Sequence, residues 1–322
     1  MKLKEIYKTI IEYGMKMDPR GEKEVKEYLK AENKKYEAMP EKDKKYYDES
    51  KLTNPYADSR IIHDSGRGIK TIIAGIDMEV GEILLVEELN RKGANIDAVY
   101  AHHPVGRAYA SFYEVMDMQS DIFASQGVNI AAAESLTMKR LKDVGEKIAA
   151  ANHYRAADAA RLLDMTMFSA HTPTDNCVAT YLQNRLDKEK PKTLGDVVEM
   201  LLEEKEYSEY KKRGAGPVIL TGDKSRRVRK AFVDMTGGTE GPKEIYKKLC
   251  DAGVDTVVGM HFSPDHKKEI TEAGLNCVVA GHIASDALGI NIMFDEVERV
   301  NGPLKIYETS GFIRVKRVKG KK

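Results

Sequence analysis

From Ile69 onward, short β-branched runs bounded by Gly or Pro alternate with longer amphipathic stretches. That alternation is the pattern of β-α-β units and a mostly parallel sheet flanked by helices. It predicts strands at Ile69–Ile76, Ala98–Ala101, Val218–Thr221, Lys230–Asp234 and Cys277–Ala280, and helices over Gly81–Lys92, Leu141–Leu163 and Leu194–Glu204. The series runs twice. Ala74-Gly-Ile-Asp-Met78 recurs as Ala231-Phe-Val-Asp-Met235; each copy leads to a helix ending near Gly93 or Gly253, then to a strand after Asp97 or Asp255. Those strands end in Tyr100-Ala-His-His-Pro104 and Val258-Gly-Met-His-Phe-Ser-Pro264. An ordered series of matches points to an internal duplication. The expected fold class is therefore α/β, with two similar lobes, mostly parallel sheets, flanking helices and a cleft between the lobes.

The expected bounds are a helical N-terminal arm over 1–68, a first α/β lobe with central helices over 69–212, and a second α/β lobe over 213–322. The join falls near Lys211–Pro217, where charge, Gly and Pro cluster. The arm alternates charge sign densely and carries Ile6, Ile10, Tyr13 and Met17 at helical spacing, which reads as a solvated, partly frayed extension.

Charge balance removes several function classes. Lys and Arg total 52 against 51 Asp and Glu, so the chain lacks the positive field that dominates nucleic-acid affinity. The basic runs Lys224–Lys230 and Arg314–Lys322 read as a strand approach and a solvated tail rather than partner sites. Met1–Arg20 does not read as a signal peptide, and no stretch approaches the roughly 18 apolar residues of a membrane span. Three cysteines, far apart and without a C-x-x-C pair, argue against a disulfide framework and a thiolate zinc site. A cytoplasmic location is the expectation.

Three polar clusters follow apolar strands, where open α/β sheets place their ligands. In His102-His103-Pro104, adjacent strand residues face opposite ways, so both imidazoles reach one site only if the strand stops there; Pro104 supplies the break. A surface turn with incidental histidines is the competing reading. In Ser169-Ala-His-Thr-Pro-Thr-Asp-Asn176, Thr172 and Pro173 resemble an N-cap and first helical residue, which puts Asp175 in the first turn, either as a ligand or as a partner of the helix dipole. In Val278-Val-Ala-Gly-His-Ile-Ala-Ser-Asp286, Gly281 permits a tight turn, and a helix starting at once sets His282 and Asp286 one turn apart on one face, for coordination or for capping.

Jointly, His102, His103, Asp175, His282 and Asp286 form a nitrogen and oxygen donor set without sulfur, suited to Zn, Fe, Mn or Co. Five donors exceed what one catalytic zinc takes, which favours two divalent ions sharing a carboxylate. His171 is placed as a ligand or as the group orienting Asp175, and as a proton shuttle together with Glu134, which follows the apolar run Val128–Ala133 but could equally begin a helix. His261 is left open, and Tyr109, Phe112 and Tyr113 either line the cleft or pack in the core.

At these residues the chain resembles the NIF-three-like family, whose members are often labelled GTP cyclohydrolase 1 type 2 or dinuclear metal centre proteins. The likeness runs from about Ile69 to near the C-terminus and rests on His102-His103-Pro104, His171-Thr-Pro-Thr-Asp175 and Gly281-His-Ile-Ala-Ser-Asp286. It implies a duplicated α/β fold, a dinuclear site held by His102, His103, Asp175, His282 and Asp286 with His171 close by, and a homo-oligomer that is a toroidal hexamer in several relatives. Asp286 departs from the pattern, in which this position is usually Glu; the arm before Ile69 looks longer, and the large domain inserted in some members is missing. The function expected is metal-dependent hydrolysis of a small molecule, such as a nucleotide or cyclic amide, with GTP ring opening as one version. The alternative is a non-catalytic metal-binding regulatory or interaction protein.

Overall fold

The computed structural model describes residues 1–317. Among the described residues, nine short strands form two sheets. The first contains β1 (Arg60–His63), β2 (Thr71–Gly75), β3 (Ala98–Ala101), β4 (Thr166–Ser169) and β9 (Lys305–Glu308), in the order β1-β4-β3-β2-β9. The second contains β5 (Val218–Thr221), β6 (Ala231–Asp234), β7 (Thr256–Gly259) and β8 (Asn276–Val279), in the order β5-β8-β7-β6. The parallel runs β2-β3-β4 and β6-β7-β8 share one relative order, with an antiparallel strand closing the edge beside the last of each, and in the first sheet β9 adds a fourth parallel strand beside β2. The fold is thus α/β with mostly parallel sheets and flanking helices.

β2, β3 and β4 are buried along their whole length. Burial on both faces is why the sequences of β2 and β3 are continuous apolar runs rather than alternating ones. Two long helices, Thr172–Glu189 and His282–Asn301, lie against each other at the centre. Val178, Leu182, Ala284 and Leu288 from these helices pack with Val233, Val258 and Val278 of the second sheet, while Ala287, Ile290 and Phe294 pack with Ile72, Tyr100 and Phe168 of the first. The approach is close because Gly289 has no side chain: a Cβ there would stand 2.3 Å from the Thr174 carbonyl oxygen. These two helices therefore tie both sheets to the residues at their own N-terminal ends.

Several expectations change. The first helix of the expected arm, Leu3–Lys16, is core: Leu3, Ile6 and Ile10 are buried among residues of the first sheet and the His282–Asn301 helix. Its apolar stripe found a partner, so it is not a frayed extension, whereas Glu22–Ala38 keeps only Val25 buried. β1 falls within residues 1–68, and β9 lies within residues 213–322 yet pairs with β2 in the first sheet. The stretch read as one helix over Leu141–Leu163 is two, Ile130–Ala149 and Arg155–Leu162. Between them the His153 carbonyl accepts from Gly106 N–H at 2.8 Å, and Asn152 Oδ1 accepts from Tyr154 N–H at 3.2 Å. Arg314 and Arg317 are not a solvated tail: Arg314 pairs with Asp295 and Glu298, and Arg317 with Glu204 and Glu206. Residues 318–322 of that basic run lie outside the described residues. Among the described residues, no helix is long and apolar enough to cross a membrane.

Candidate metal centre

β3 ends at Ala101, and the chain leaves the ladder at once. The N–H of His102 donates to the Gly75 carbonyl at 3.0 Å and the N–H of His103 to the Ile76 carbonyl at 2.9 Å. Consecutive amides bonding the same neighbour do not occur within a regular strand, so the strand has broken and both rings turn to one side, their centroids 5.2 Å apart. β4 leads to His171, the N-cap of the Thr172–Glu189 helix, with Pro173 in its first turn. Sequence placed the cap one residue later. The Thr172 hydroxyl is committed elsewhere, donating to Asp58 at 2.6 Å. β8 leads to Gly281, whose φ of 113° suits glycine, and His282 opens the next helix immediately.

These three chain segments meet. His102 Nε2 lies 3.5 Å from Asp175 Oδ1 and 3.4 Å from Asp286 Oδ1. Asp286 Oδ2 lies 3.7 Å from His103 Nε2 and 3.5 Å from His282 Nε2, and His171 Nε2 lies 3.6 Å from Asp175 Oδ2. Three overlapping sets of donor atoms could hold a metal ion: His102 with His103 and His171, His103 with His282 and Asp286, and His102 with Asp175 and Asp286. Asp286 sits at the middle. The buried atoms His102 Nε2, Asp175 Oδ1 and both oxygens of Asp286 have no hydrogen-bond partner. Burying such groups unpaired costs roughly 1–3 kcal/mol each, more when charged, and a cation placed among them would satisfy all four.

The outward side of each ring is already fixed. The Thr174 hydroxyl donates to the backbone carbonyl of His171 at 2.8 Å, so it accepts from His102 Nδ1–H at 3.0 Å. Asp77 takes His103 Nδ1 at 2.6 Å, and Asp58 takes His171 Nδ1 at 2.8 Å. For His102 and His103, holding Nδ1 in this way presents the Nε2 lone pair of a neutral imidazole inward, the usual arrangement behind a metal-ligating histidine.

The charges conflict as they stand. Burial pulls His102 down to about 4 against the attraction of Asp286, and burial also lowers His282. Burial raises Asp175 well above the carboxylate range. Burial would raise Asp286 too, but His102, His282 and His103 together hold it down to about 2. Burial depresses His171, yet Asp175 and Asp58 raise it to about 9. Neutral imidazoles around an ionised carboxylate are what a divalent cation requires of its ligands.

The cluster faces a cleft of about 720 Å³ whose lining includes His103, His171, Asp175 and His282 together with Asp234, Thr236, Glu240 and His261. Tyr109 and Phe112 line it as well, Phe112 with its ring centroid 5.8 Å from that of His171. Tyr113 is not among the lining residues; it packs with Val144 and Ile148. Glu134 does not join the site: it is on the exposed face of the Ile130–Ala149 helix and does not line the cleft. The apolar run before it begins that helix instead of ending a strand at the cleft.

Sequence reasoning missed Asp58, Asp77 and Thr174. Asp77 had a signal in the repeated Ala-x-x-Asp-Met segment, where the acidic residue recurs as Asp234. Asp58 had none, since Tyr56–Arg60 carries no periodicity and reaches His171 only through β1 pairing with β4.

Comparison with solved structures finds a NIF3 superfamily protein from Sphaerobacter thermophilus, with a TM-score of 0.68 and 28% identity over 80% of this chain and 92% of that one. Lower in identity are reduced HcgD from Methanocaldococcus jannaschii, at 17% and TM-score 0.40 over 76% and 84% of the two chains, and a Bacillus cereus protein related to NIF3, at 11% and TM-score 0.40 over 80% and 93%. No family model and no curated protein matches the chain. Fold and cleft define an α/β protein with a buried histidine–carboxylate cluster able to hold a metal ion. In fold and in sequence the chain is similar to the NIF3-like family.

Proposed function

We propose that this protein holds two divalent ions at the strand ends and uses them to hydrolyse a small molecule bound in the cleft. His102, His103, Asp175, His282 and Asp286 would hold them. His171 stands beside Asp175, positioned by Asp58. The observation that carries the reading is the set of four buried donor atoms without partners around Asp286. Nitrogen and oxygen donors without sulfur suit Zn, Fe, Mn or Co. Bound metals of this kind supply a water acidified from 15.7 toward about 7 and polarise the oxygen of a phosphoryl, carbonyl or amidine-like group.

The chain's own part is positional. Asp77, Thr174 and Asp58 hold the imidazoles in register, and Tyr109 and Phe112 offer apolar surface to the ligand. His171, raised to about 9 and tied to Asp58, is placed to hold a proton at Nε2 beside Asp175. A cleft of about 720 Å³ is in the size range of small-molecule sites, and it favours a substrate over a purely structural metal.

The test is elemental analysis of the purified protein followed by a screen of phosphoesters, nucleotides including GTP, and cyclic amides against wild type and His103→Ala. Metal-dependent turnover lost in the variant supports hydrolysis. Tight metal binding without turnover across the panel supports the alternative, a regulatory or metal-handling protein, and GTP consumed equally by the variant removes the cyclohydrolase version.

A further inference from the structure

Beside the cleft lies a smaller hollow of about 250 Å³, and Tyr109, Phe112 and Thr239 line both. The rest of its lining comes from one helix. Arg140, Val144, Lys147 and Ile148 of Ile130–Ala149 stand at i, i+4, i+7 and i+8, a spacing that puts them on one face. Val144 and Ile148 are buried and pack with Tyr109 and Phe112, so the hollow has an apolar floor. Its charge is opposite to that of the cleft. Asp77, Asp175, Asp234 and Glu240 are among the residues lining the cleft, whereas the hollow is lined by two cations and, among the described residues, by no carboxylate.

Both cations keep donors to spare. Arg140 Nε donates to the Glu240 backbone carbonyl at 3.1 Å, and because the guanidinium is planar, that bond fixes the plane in which its two Nη groups are offered. Neither Nη has a hydrogen-bond or ion-pair partner among the described residues, and neither has Lys147 Nζ. Asp143 stands on the same helix at i+3 from Arg140 and i−4 from Lys147, where ion pairs form, yet it pairs with neither. The hollow is also close to the metal cluster. Phe112, which lines both spaces, has its ring centroid 5.8 Å from that of His171, and the Tyr109 ring meets His153 edge-on at 5.2 Å.

We infer that the hollow is a second subsite for the molecule hydrolysed at the metal cluster, and that Arg140 and Lys147 there take an oxyanion, phosphoryl or carboxylate, at the far end of that molecule. The inference rests on the metal reading above. It gives the substrate three parts: a group that reaches the metals, a flat or apolar middle lying over Phe112 and Tyr109, and an anionic end. The separation of charge directs that end. In the cleft it would face Asp234 and Glu240; in the hollow it meets a guanidinium and an ammonium, whose hydrogen bonds to an oxyanion are of the strong, charge-assisted kind. A neutral molecule of equal size fills the cleft but leaves both cations to water, so the hollow selects by charge.

The test loads the full chain with Zn²⁺ and measures by calorimetry the binding of alkanehydroxamates. The hydroxamate goes to the metal, and the far end, across methylene linkers of increasing length, carries phosphonate, carboxylate or methyl. Wild type is expected to bind an anionic probe about tenfold or more tighter than the methyl probe at the linker length that spans to the hollow, and no tighter at shorter ones. The larger of the two anionic gains tells phosphoryl from carboxylate. Arg140→Met and Lys147→Met are each expected to lose most of that gain while keeping zinc, melting temperature and the affinity for the methyl probe. Arg140 also holds the Glu240 carbonyl, so Lys147→Met is the cleaner variant. Lys142→Met removes the same charge from the same helix outside the hollow and should keep the gain; a loss there equal to that of Lys147→Met would reveal a general field and overturn the subsite. Full gain kept by both hollow variants overturns it too. Wild type that holds zinc and hydroxamate but binds anionic and methyl probes alike at every length overturns this inference alone; wild type that takes no zinc removes the metal reading and the inference with it.

Discussion

Gly289 joins the packing of the molecule to its site, and replacing it with Ala tests both. In the Gly289→Ala variant the new Cβ would stand 2.3 Å from the Thr174 carbonyl oxygen and 3.0 Å from its carbon. An ordinary carbon–oxygen contact of 3.4 Å or more is restored only if the Thr172–Glu189 and His282–Asn301 helices part by about 1 Å locally, an overpacking that costs roughly 1–3 kcal/mol. Replacing Gly by Ala inside a helix returns up to about 1 kcal/mol. The net expectation is a loss of roughly 0.5–2 kcal/mol, or a melting temperature a few degrees lower in a chain of this size. Function should suffer more than stability. Asp175 follows Thr174 directly and Asp286 lies one turn before Gly289, so the same displacement separates two carboxylates whose metal bonds tolerate about 0.2 Å. The assay is thermal melting in chelator and zinc affinity by competition, beside Gly81→Ala as a control. Gly81 is also helical, but nothing lies within 4 Å of its built Cβ, so Ala there should leave the melt unchanged or raised. If Gly289→Ala melts at or above wild type and binds zinc as tightly, the close approach does not set the site.

Asp77→Asn should weaken metal binding by about 10–100-fold, the usual effect of removing a group behind a ligating histidine, while the melt in chelator changes little because the Asp77 side chain is 62% exposed; unchanged affinity refutes its role. Asp234 is raised to about 7 by burial and then by Glu240. The folded state therefore holds this proton where the unfolded state has lost it, and the stability of wild type falls as pH rises from about 4 to about 7. Asp234→Asn is free of that loss. With the half-buried position discounted for solvent screening, urea unfolding should show it gaining about 1–2 kcal/mol on wild type between pH 5 and pH 8, and a difference that does not change with pH contradicts the assignment. Stripping metal with a chelator should lower the melting temperature of wild type, since an ion present at 100 times its dissociation constant adds about 2.7 kcal/mol. Asp286→Asn should melt alike with and without chelator; a wild type indifferent to the chelator would show that the cluster holds no metal.

What could be read locally in this chain was read from its sequence. β2, β3 and β7 are continuous apolar runs buried along their whole length, and their positions follow from that burial, a property of each segment, whereas β1, β4 and β9 carry no such signal. The turn at Gly281 and the one-turn spacing of His282 and Asp286 are likewise local, and so is the strand break before Pro104 that sends His102 and His103 to the same side. Their types alone indicated nitrogen and oxygen ligands. Tertiary structure decided everything that depends on which segments meet. The Leu3–Lys16 helix is core because the first sheet and the His282–Asn301 helix receive its stripe, whereas the more heavily charged Glu22–Ala38 helix buries only Val25. Asp58 reaches His171 through a strand pairing across more than a hundred residues, and β9 returns to the first sheet from the far end of the chain. Glu134 carries the same carboxylate as Asp175 or Asp286 but faces solvent. Periodicity records which face of a segment is buried and not what covers it, and a ligand is made by an approach of a few ångströms between residues far apart in the chain.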